Sequence, residues 1–557
     1  MPLKGQEHLP RNVYQNGKDV NFQIKNVTWN EDQKMHPMVH AQNTPDKAAC
    51  IFASTQQVLS YAQMNALANR CAHLFRQHDL KRGDVVSILL ENSIDIFTVA
   101  WGAQRSGLYL TAISCKTSAK DLAYILDNSD SKILIVSKSL VDTALEALKL
   151  SQLDYVYLYA TGPKTSVASF TQALSQCSEG DITDPSPGGD MLYSSGSTGR
   201  PKGVRPPLPE GDLMQPVPLM SMGRTLYQMG QDTLYLSTSP LYHAAPLRWA
   251  LAVHRFGGTV VIMDKFDAEQ TLNLIEQYQI SHATFVPTHF IRLLNLPETR
   301  RLSFNSSSLK AVIHAAAPCP VPVKQAMIDW WGPLLHEYYS GTEQCGITAL
   351  DSVEWLNKPG SVGKAVLGKI KILDEQQNEL AVGQIGDIYF ADGPQFEYYK
   401  DAEKTKTAYS KQGWATLGDI GWMDEDGYLY LTDRKNFMII SGGVNIYPQE
   451  IENLLITHPD VNDAAVFGIP DDEMGEKVVA VVQLKACILS SADEAQKLKQ
   501  FVRQALGSVK CPQVFEFSQN FPREATGKIL KRKLIEDYKV YLASSTQTRY
   551  DTGDGHA

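Results

Sequence analysis

No two of the eight cysteines (50, 71, 115, 177, 319, 345, 487 and 511) stand at C-x-x-C spacing, and several sit inside apolar helical or strand patterns. They read as reduced core or surface thiols, which excludes a disulfide framework and predicts a cytoplasmic location. No uninterrupted apolar run approaches the roughly 18 residues of a membrane-spanning helix. The opening MPLKGQEHLPRNVYQNGKDVNF also lacks the apolar centre of a secretory signal, so neither a span nor a signal is expected. The thirteen histidines include no H-x-x-x-H beside a helical carboxylate and no Cys/His finger spacing. A structural zinc is not expected. Basic blocks are missing too: the net charge of −9 is spread along the chain, which leaves nucleic acid no footprint. No segment repeats at a fixed period, which excludes a solenoid.

What is present is material for a large core. With 557 residues, 43% of them hydrophobic and 20% charged, the chain should divide into several lobes at about 150 residues per domain. From Tyr61, the set Met64, Leu67, Ala68, Cys71, Leu74 and Phe75 recurs at helical spacing. Short apolar runs at 84–90, 131–137, 258–263, 282–287 and 309–318 read as strands, separated by roughly helix-length segments. That alternation predicts an α/β architecture with mostly parallel, buried sheets. Near residue 433 the pattern changes to strand, charged turn, strand, Gly-Gly turn and amphipathic helix. The expected division is a large multi-lobed N-terminal domain over 1–433, a small mobile α+β domain over 434–540 and a disordered polar tail over 541–557.

The stretch YSSGSTGRPKG, residues 193–203, has the composition of a flexible linker. It also suits a polyphosphate. Gly196, Gly199 and Gly203 permit close backbone approach, Ser194, Ser195, Ser197 and Thr198 bring hydroxyls, and Lys202 brings positive charge. It follows the apolar DMLY, which suits a loop beyond the carboxyl end of a sheet strand. It is not a Walker A loop, because Pro201 and Gly203 flank the lysine where that motif needs Gly and Ser/Thr.

LYSSGSTGRPKGV resembles the phosphate loop of the acyl-adenylate-forming (AMP-binding) superfamily. Four further stretches follow in that superfamily's order: YYSGTE (338–343), GWATLGDIG (413–421), DRKNFMIISGGVNIYPQEIE (433–452) and PREATGKILKRKL (522–534). The resemblance spans about 40 to 540. The wording of GRPKGVRPPLP, PLYHAAPLRW and SGGVNIYPQEIE is most similar to bacterial acyl-CoA synthetases.

The resemblance implies a role for each matching residue. Glu343, otherwise a solvated loop carboxylate, would hold Mg²⁺ on ATP. Thr342 would contact the α-phosphate region, Tyr339 would lie along the adenine, and Ala316, Ala317 and Pro318 would line the adenine pocket. Asp419 would accept both ribose hydroxyls, with Arg434 supporting the nucleotide. Lys528 would bridge the substrate carboxylate and the α-phosphate as charge builds there. His243 would bind and gate the acyl carboxylate, and Gly442 and Gly443 would admit the pantetheine arm of CoA.

Three positions depart from the family pattern, among them Phe437, where a charged residue is frequent. Ser197 replaces a threonine and keeps its hydroxyl. Asn436 stands at the hinge where Lys or Asp is usual, and asparagine tolerates the backbone conformations a hinge needs. The implied activity is an AMP-forming acyl-CoA synthetase acting on a hydrophobic carboxylic acid with ATP, Mg²⁺ and CoA. An aromatic-acid CoA ligase, an enzyme loading a carrier protein and a non-catalytic nucleotide- or acyl-binding protein are the alternatives. Whether the chain works alone or as a homodimer is left open. Pocket candidates lie in 242–249 and 284–293, including Thr288 and His289.

Overall fold

The computed structural model describes residues 34–194, 200–434, 437–471, 473–485, 488–523 and 529–550. Ser195, Gly196, Ser197, Thr198, Gly199, Asn436 and Lys528 lie outside them, as does the side chain of Arg434.

The expected strands form at Val85–Leu89, Ser131–Ser137, Thr259–Ile262 and His282–Phe285. Every residue of Val85–Leu89 is buried, as a parallel sheet covered on both faces requires. The run at 309–318 is strand only over Ala311–His314. Beyond it, Ala316 turns into a left-handed φ of 77°, and Pro318 has no N–H to give a ladder. The helix Tyr61–Gln77 opens with a reciprocal cap. Ser60 Oγ accepts from the Gln63 N–H at 3.3 Å, and Gln63 Oε1 accepts from the Ser60 N–H at 2.9 Å. Its buried face includes Tyr61, Met64, Ala68, Cys71, Leu74 and Phe75.

Among the described residues, two large sheets carry the N-terminal domain. One has six strands, all parallel. The other has nine, parallel in the centre and antiparallel at both edges. Within its centre, Leu234–Ser237, His282–Phe285, Ala311–His314 and Leu335–Tyr339 are neighbours running in one direction. The segments that follow them, 238–243, 286–289, 315–318 and 340–343, therefore leave the same edge of the sheet. A four-stranded antiparallel sheet, built from Lys369–Leu373, Gly386–Ala391, Ala415–Met423 and Leu429–Arg434, supplies the 413–421 motif.

The placement expected for the Ser/Gly loop needs correction. The parallel strand that ends before it is only Gly189–Asp190, and the chain then changes sheets. Leu192–Ser194 and Lys202–Arg205 pair antiparallel, with Ser194 opposite Lys202, so the loop joins the strands of a hairpin. Gly203 permits that close pairing, since a Cβ there would come within 2.9 Å of both Met191 Cε and Tyr193 Cζ.

The C-terminal domain has its own sheet, separate from the one that ends at Arg434. Its long hairpin, Val461–Asp471 with Gly475–Leu484, is covered on one face by residues such as Ile451, Leu455, Leu498 and Val502. On the other face Leu534 and Tyr538 pack against Phe467 and Val479. Gly442 and Gly443 form a turn between two strands, Ile439–Ser441 and Val444–Ile446, rather than between a strand and the helix. Their φ values of 56° and 77° explain the pair, because a two-residue hairpin turn of this kind needs positive φ at both positions. The last helix, Lys531–Tyr550, continues through residue 541, where composition predicts the disordered tail to begin. The seven described cysteines are free thiols, and no helix among the described residues is long and apolar enough to cross a membrane.

Candidate active site

Glu343 sits in the turn after Leu335–Tyr339, and Tyr398 donates a hydrogen bond to its Oε1 at 2.9 Å. Tyr398 belongs to the short strand that pairs with Lys202–Arg205, which brings the stem of the Ser/Gly loop beside this carboxylate. Lys202 Nζ lies 4.9 Å from the centre of the Tyr398 ring. Burial, reinforced by the negative charge of Glu343, pushes the Tyr398 phenol pKa up, so the phenol stays a donor. Gly341 allows the turn to close. A Cβ there would stand 2.5 Å from Leu417 Cδ2 and 2.6 Å from Glu343 Oε2.

Tyr339 ends its strand with its hydroxyl donating to Asp419 Oδ2 at 2.7 Å, which ties the nine-stranded sheet to the four-stranded one. Asp419 is buried at 7% exposure and faces Arg434 across the sheet register. A register shift follows at once between Ile420 and Gly421, a device that re-aims side chains near functional sites. Ala316, Ala317 and Pro318 leave the sheet edge one strand away from Tyr339. Ala316 is exposed and holds its positive φ without being glycine.

His243 stands at the N-cap of the helix Ala244–Phe256, half-buried, with its ring 4.7 Å from that of Tyr242. Thr342 presents its carbonyl to Arg248 on that same helix, with both Nη1 and Nη2 at 3.4 Å. The other edge of the guanidinium grips Asp190 at 2.8 and 2.7 Å. Burial opposes the charge on Arg248, but Asp190 outweighs it and holds the guanidinium pKa above its ordinary value. Of the pocket candidates, His289 is buried and stacked on Phe266 at 3.8 Å. Burial, with nearby Arg292, lowers its pKa to about 3 and keeps it neutral.

The structure thus gathers Ser194, Lys202, Thr342 and Glu343 through Tyr398, and Tyr339 with Asp419. Gly442 and Gly443 lie on the separate C-terminal sheet, exposed at a hairpin tip. Sequence reasoning missed Tyr398, Asp190 and Arg248. The signal for Arg248 was a lone charge in the second turn of an otherwise apolar helix start, HAAPLRWALAV. Tyr398 carried none. As a place for a hard cation, Glu343 fits: one Tyr398 hydrogen bond leaves the carboxylate with further acceptor sites for an ion shared with phosphate oxygens. His458, Asp460 and Glu494 in the C-terminal domain also offer ligand atoms within 4.8 Å of one another, but Lys497 already neutralises Glu494 at 3.0 Å.

Residues 38–399 match the AMP-binding enzyme family, and residues 450–528 match the AMP-binding enzyme C-terminal domain. The chain belongs to the AMP-binding enzymes. This AMP-binding enzyme is 30% identical to the long-chain-fatty-acid–CoA ligase FadD13 of Mycobacterium tuberculosis, over 93% of its own length and 99% of that protein's. It is 29% identical to the indoleacetate–CoA ligase of Aromatoleum aromaticum, covering 91% and 97% of the two chains. The crystal structure of ATP-bound MatB from Rhodopseudomonas palustris superposes with a TM-score of 0.77 at 26% identity, over 91% of this chain and 99% of that one. Family and relatives together make this an AMP-forming acid–thiol ligase that binds ATP.

Proposed function

We propose that the protein is an acyl-CoA synthetase that activates a hydrophobic carboxylic acid in two steps. In the first, a carboxylate oxygen of the acid attacks the α-phosphorus of ATP, the bond to the β-phosphate oxygen breaks, and pyrophosphate leaves. In the second, the sulfur of CoA attacks the acyl carbon of the acyl-AMP, AMP leaves with its bonding pair, and the thiol proton passes to solvent. The observation that carries this reading is the meeting of Tyr398, Glu343 and the stem of the Ser/Gly loop, one strand-end from the Tyr339–Asp419 pair.

The phosphates lie in the loop of Ser194, Ser195, Gly196, Ser197, Thr198 and Gly199, with Lys202 at its stem and Thr342 beside the α-phosphate. Tyr339 and Ala316 to Pro318 hold the adenine, and Asp419 holds the ribose with Arg434. Glu343, steadied by Tyr398, is the carboxylate for Mg²⁺, which offsets phosphate charge when bound. His243, at the head of its helix, orients the acid. Lys528 reaches the reacting carboxylate and α-phosphate in the first step only. Rotation of the C-terminal domain about 433–436, with Asn436 as the hinge, then withdraws it and presents Gly442 and Gly443 to the pantetheine arm, because one cleft cannot serve both steps with the same groups.

The fatty-acid relative supports an aliphatic acid, and the indoleacetate relative supports an aromatic one. The deciding experiment is pyrophosphate release from Mg·ATP across a panel of aliphatic and aromatic acids, with and without CoA. Sustained turnover with an aliphatic acid only when CoA is present is the expected result. Turnover that requires a phosphopantetheinylated carrier protein instead would overturn the choice of acceptor.

A further inference from the structure

An arginine keeps its proton in any protein environment, so one held at 15% side-chain exposure must have a carboxylate or carbonyl against each edge. Arg248 has both. Its Nε and Nη2 grip the two oxygens of Asp190 side by side, and its Nη1 and Nη2 face the carbonyl of Thr342. The three partners come from different places: Asp190 from the parallel strand Gly189–Asp190 that precedes the Ser/Gly hairpin, Arg248 from the helix that His243 begins, and Thr342 from the turn that carries Glu343. The charge on Arg248 is favoured first by Asp190, with Tyr338 and Glu343 adding to it.

The geometry points to Asp190 and Arg248 as a positioning pair for the Thr342–Glu343 turn, in which Asp190 keeps the guanidinium on the Thr342 carbonyl and away from the Glu343 carboxylate. The inference rests on the reading of Glu343 as the carboxylate that takes the divalent ion. Arg248 is bonded to Asp190 and to the carbonyl of Thr342, the residue next to Glu343, whose negative charge also favours the guanidinium. Take away the charge on Asp190 and, among the described residues that favour the guanidinium, the carboxylate left to answer it is Glu343, the group the metal also needs. The pair would thus let a cation stand beside the metal carboxylate, fixing the backbone of its turn, without consuming its charge.

The test is binding of Mn²⁺ in the presence of ATP and absence of any acid, read by electron paramagnetic resonance, so that no turnover is involved. Asp190→Asn should weaken Mn²⁺ binding about tenfold, the scale of one competing charge pair in a partly buried site. Arg248→Met should leave Mn²⁺ binding within about twofold of wild type while lowering kcat, because the turn is loosened but its carboxylate stays available. The Asp190→Asn/Arg248→Met double variant should recover the Mn²⁺ affinity of Arg248→Met alone. Wild-type Mn²⁺ affinity in folded Asp190→Asn, with loss of affinity in Glu343→Gln, overturns the pair's role and keeps the reading of Glu343. Unchanged affinity in Glu343→Gln overturns that reading itself. If Asp190→Asn does not fold, Arg248→Lys serves: it keeps the charge but cannot bridge both partners, and wild-type kcat in that variant refutes the positioning role.

Discussion

Among the described residues, each of the two domains holds a lysine against a buried glutamate, and the surroundings of the two pairs differ. In the N-terminal domain Lys324 Nζ lies 2.6 Å from Glu337, with exposures of 0% and 5%, on the strand that ends in Tyr339. In the C-terminal domain Lys531 Nζ lies 2.6 Å from Glu452, at 12% and 6%, and joins the last helix to Pro448–Leu455. The N-terminal domain also buries neutral histidines: His36, His254, His289 and His314 are all at or below 2% exposure. The C-terminal domain has one described histidine, His458, and it is not buried. A large parallel core therefore stores protonation-sensitive groups, while a small one built on a local hairpin relies on ion pairs at its seams.

The comparison is broken most severely at Lys528. Lys528→Ala should lower adenylation by two or more orders of magnitude, roughly the weight of an electrostatic contact to the developing charge, yet spare thioester formation from supplied acyl-AMP. Single-turnover assays of the two half-reactions check this. Equal loss in both would sink the idea that the C-terminal domain serves each step with a different face.

Next come the buried lysines. Lys324→Met should cost about 3–5 kcal/mol, since it leaves Glu337 buried without its cation. Lys531→Met should cost less, because Lys531 keeps more contact with water. Urea unfolding followed by tryptophan fluorescence resolves the first effect: seven of the eight tryptophans precede residue 415, and the eighth, Trp422, also precedes the C-terminal sheet. Proteolysis within 440–540 reports the second.

Acid sharpens the contrast. Burial holds His254 and His289 neutral, with pKa values lowered to about 3, and depresses those of His36 and His314 well below the usual value. In the unfolded chain they titrate near 6.5, so their contribution is complete above that pH and is lost as the pH falls from about 6.5 toward the folded values. His254 and His289 should each cost the N-terminal domain about 1.4 kcal/mol between pH 7.5 and pH 5.5, with His36 and His314 acting in the same direction. Hydrogen exchange at the two pH values should show the parallel sheets opening before the 461–484 hairpin.

The smallest effect is a gain. Ala316→Gly should stabilise the N-terminal domain by about 1 kcal/mol, because glycine takes a φ of 77° without the Cβ penalty. Thermal unfolding measures it. An unchanged or lower Tm would mean that the greater unfolded-state freedom of glycine offsets the relief at that φ.

Local chemistry was enough to place the parallel strands at 85–89 and 131–137 and the helix that begins at Tyr61, because periodicity acts over a few residues. The motifs likewise named Tyr339, Glu343 and Asp419 as groups suited to a nucleotide. Only the tertiary structure decided that the Ser/Gly loop spans an antiparallel hairpin, that the two glycines turn a strand back on itself, and that Tyr398 and Arg248 reach the Thr342–Glu343 turn. Tyr398 and Glu343 are 55 residues apart, Arg248 and Thr342 are 94, and contacts at such separation depend on which strands become neighbours. That choice is made by burying both faces of a sheet at once, a property of the whole core that no short stretch contains.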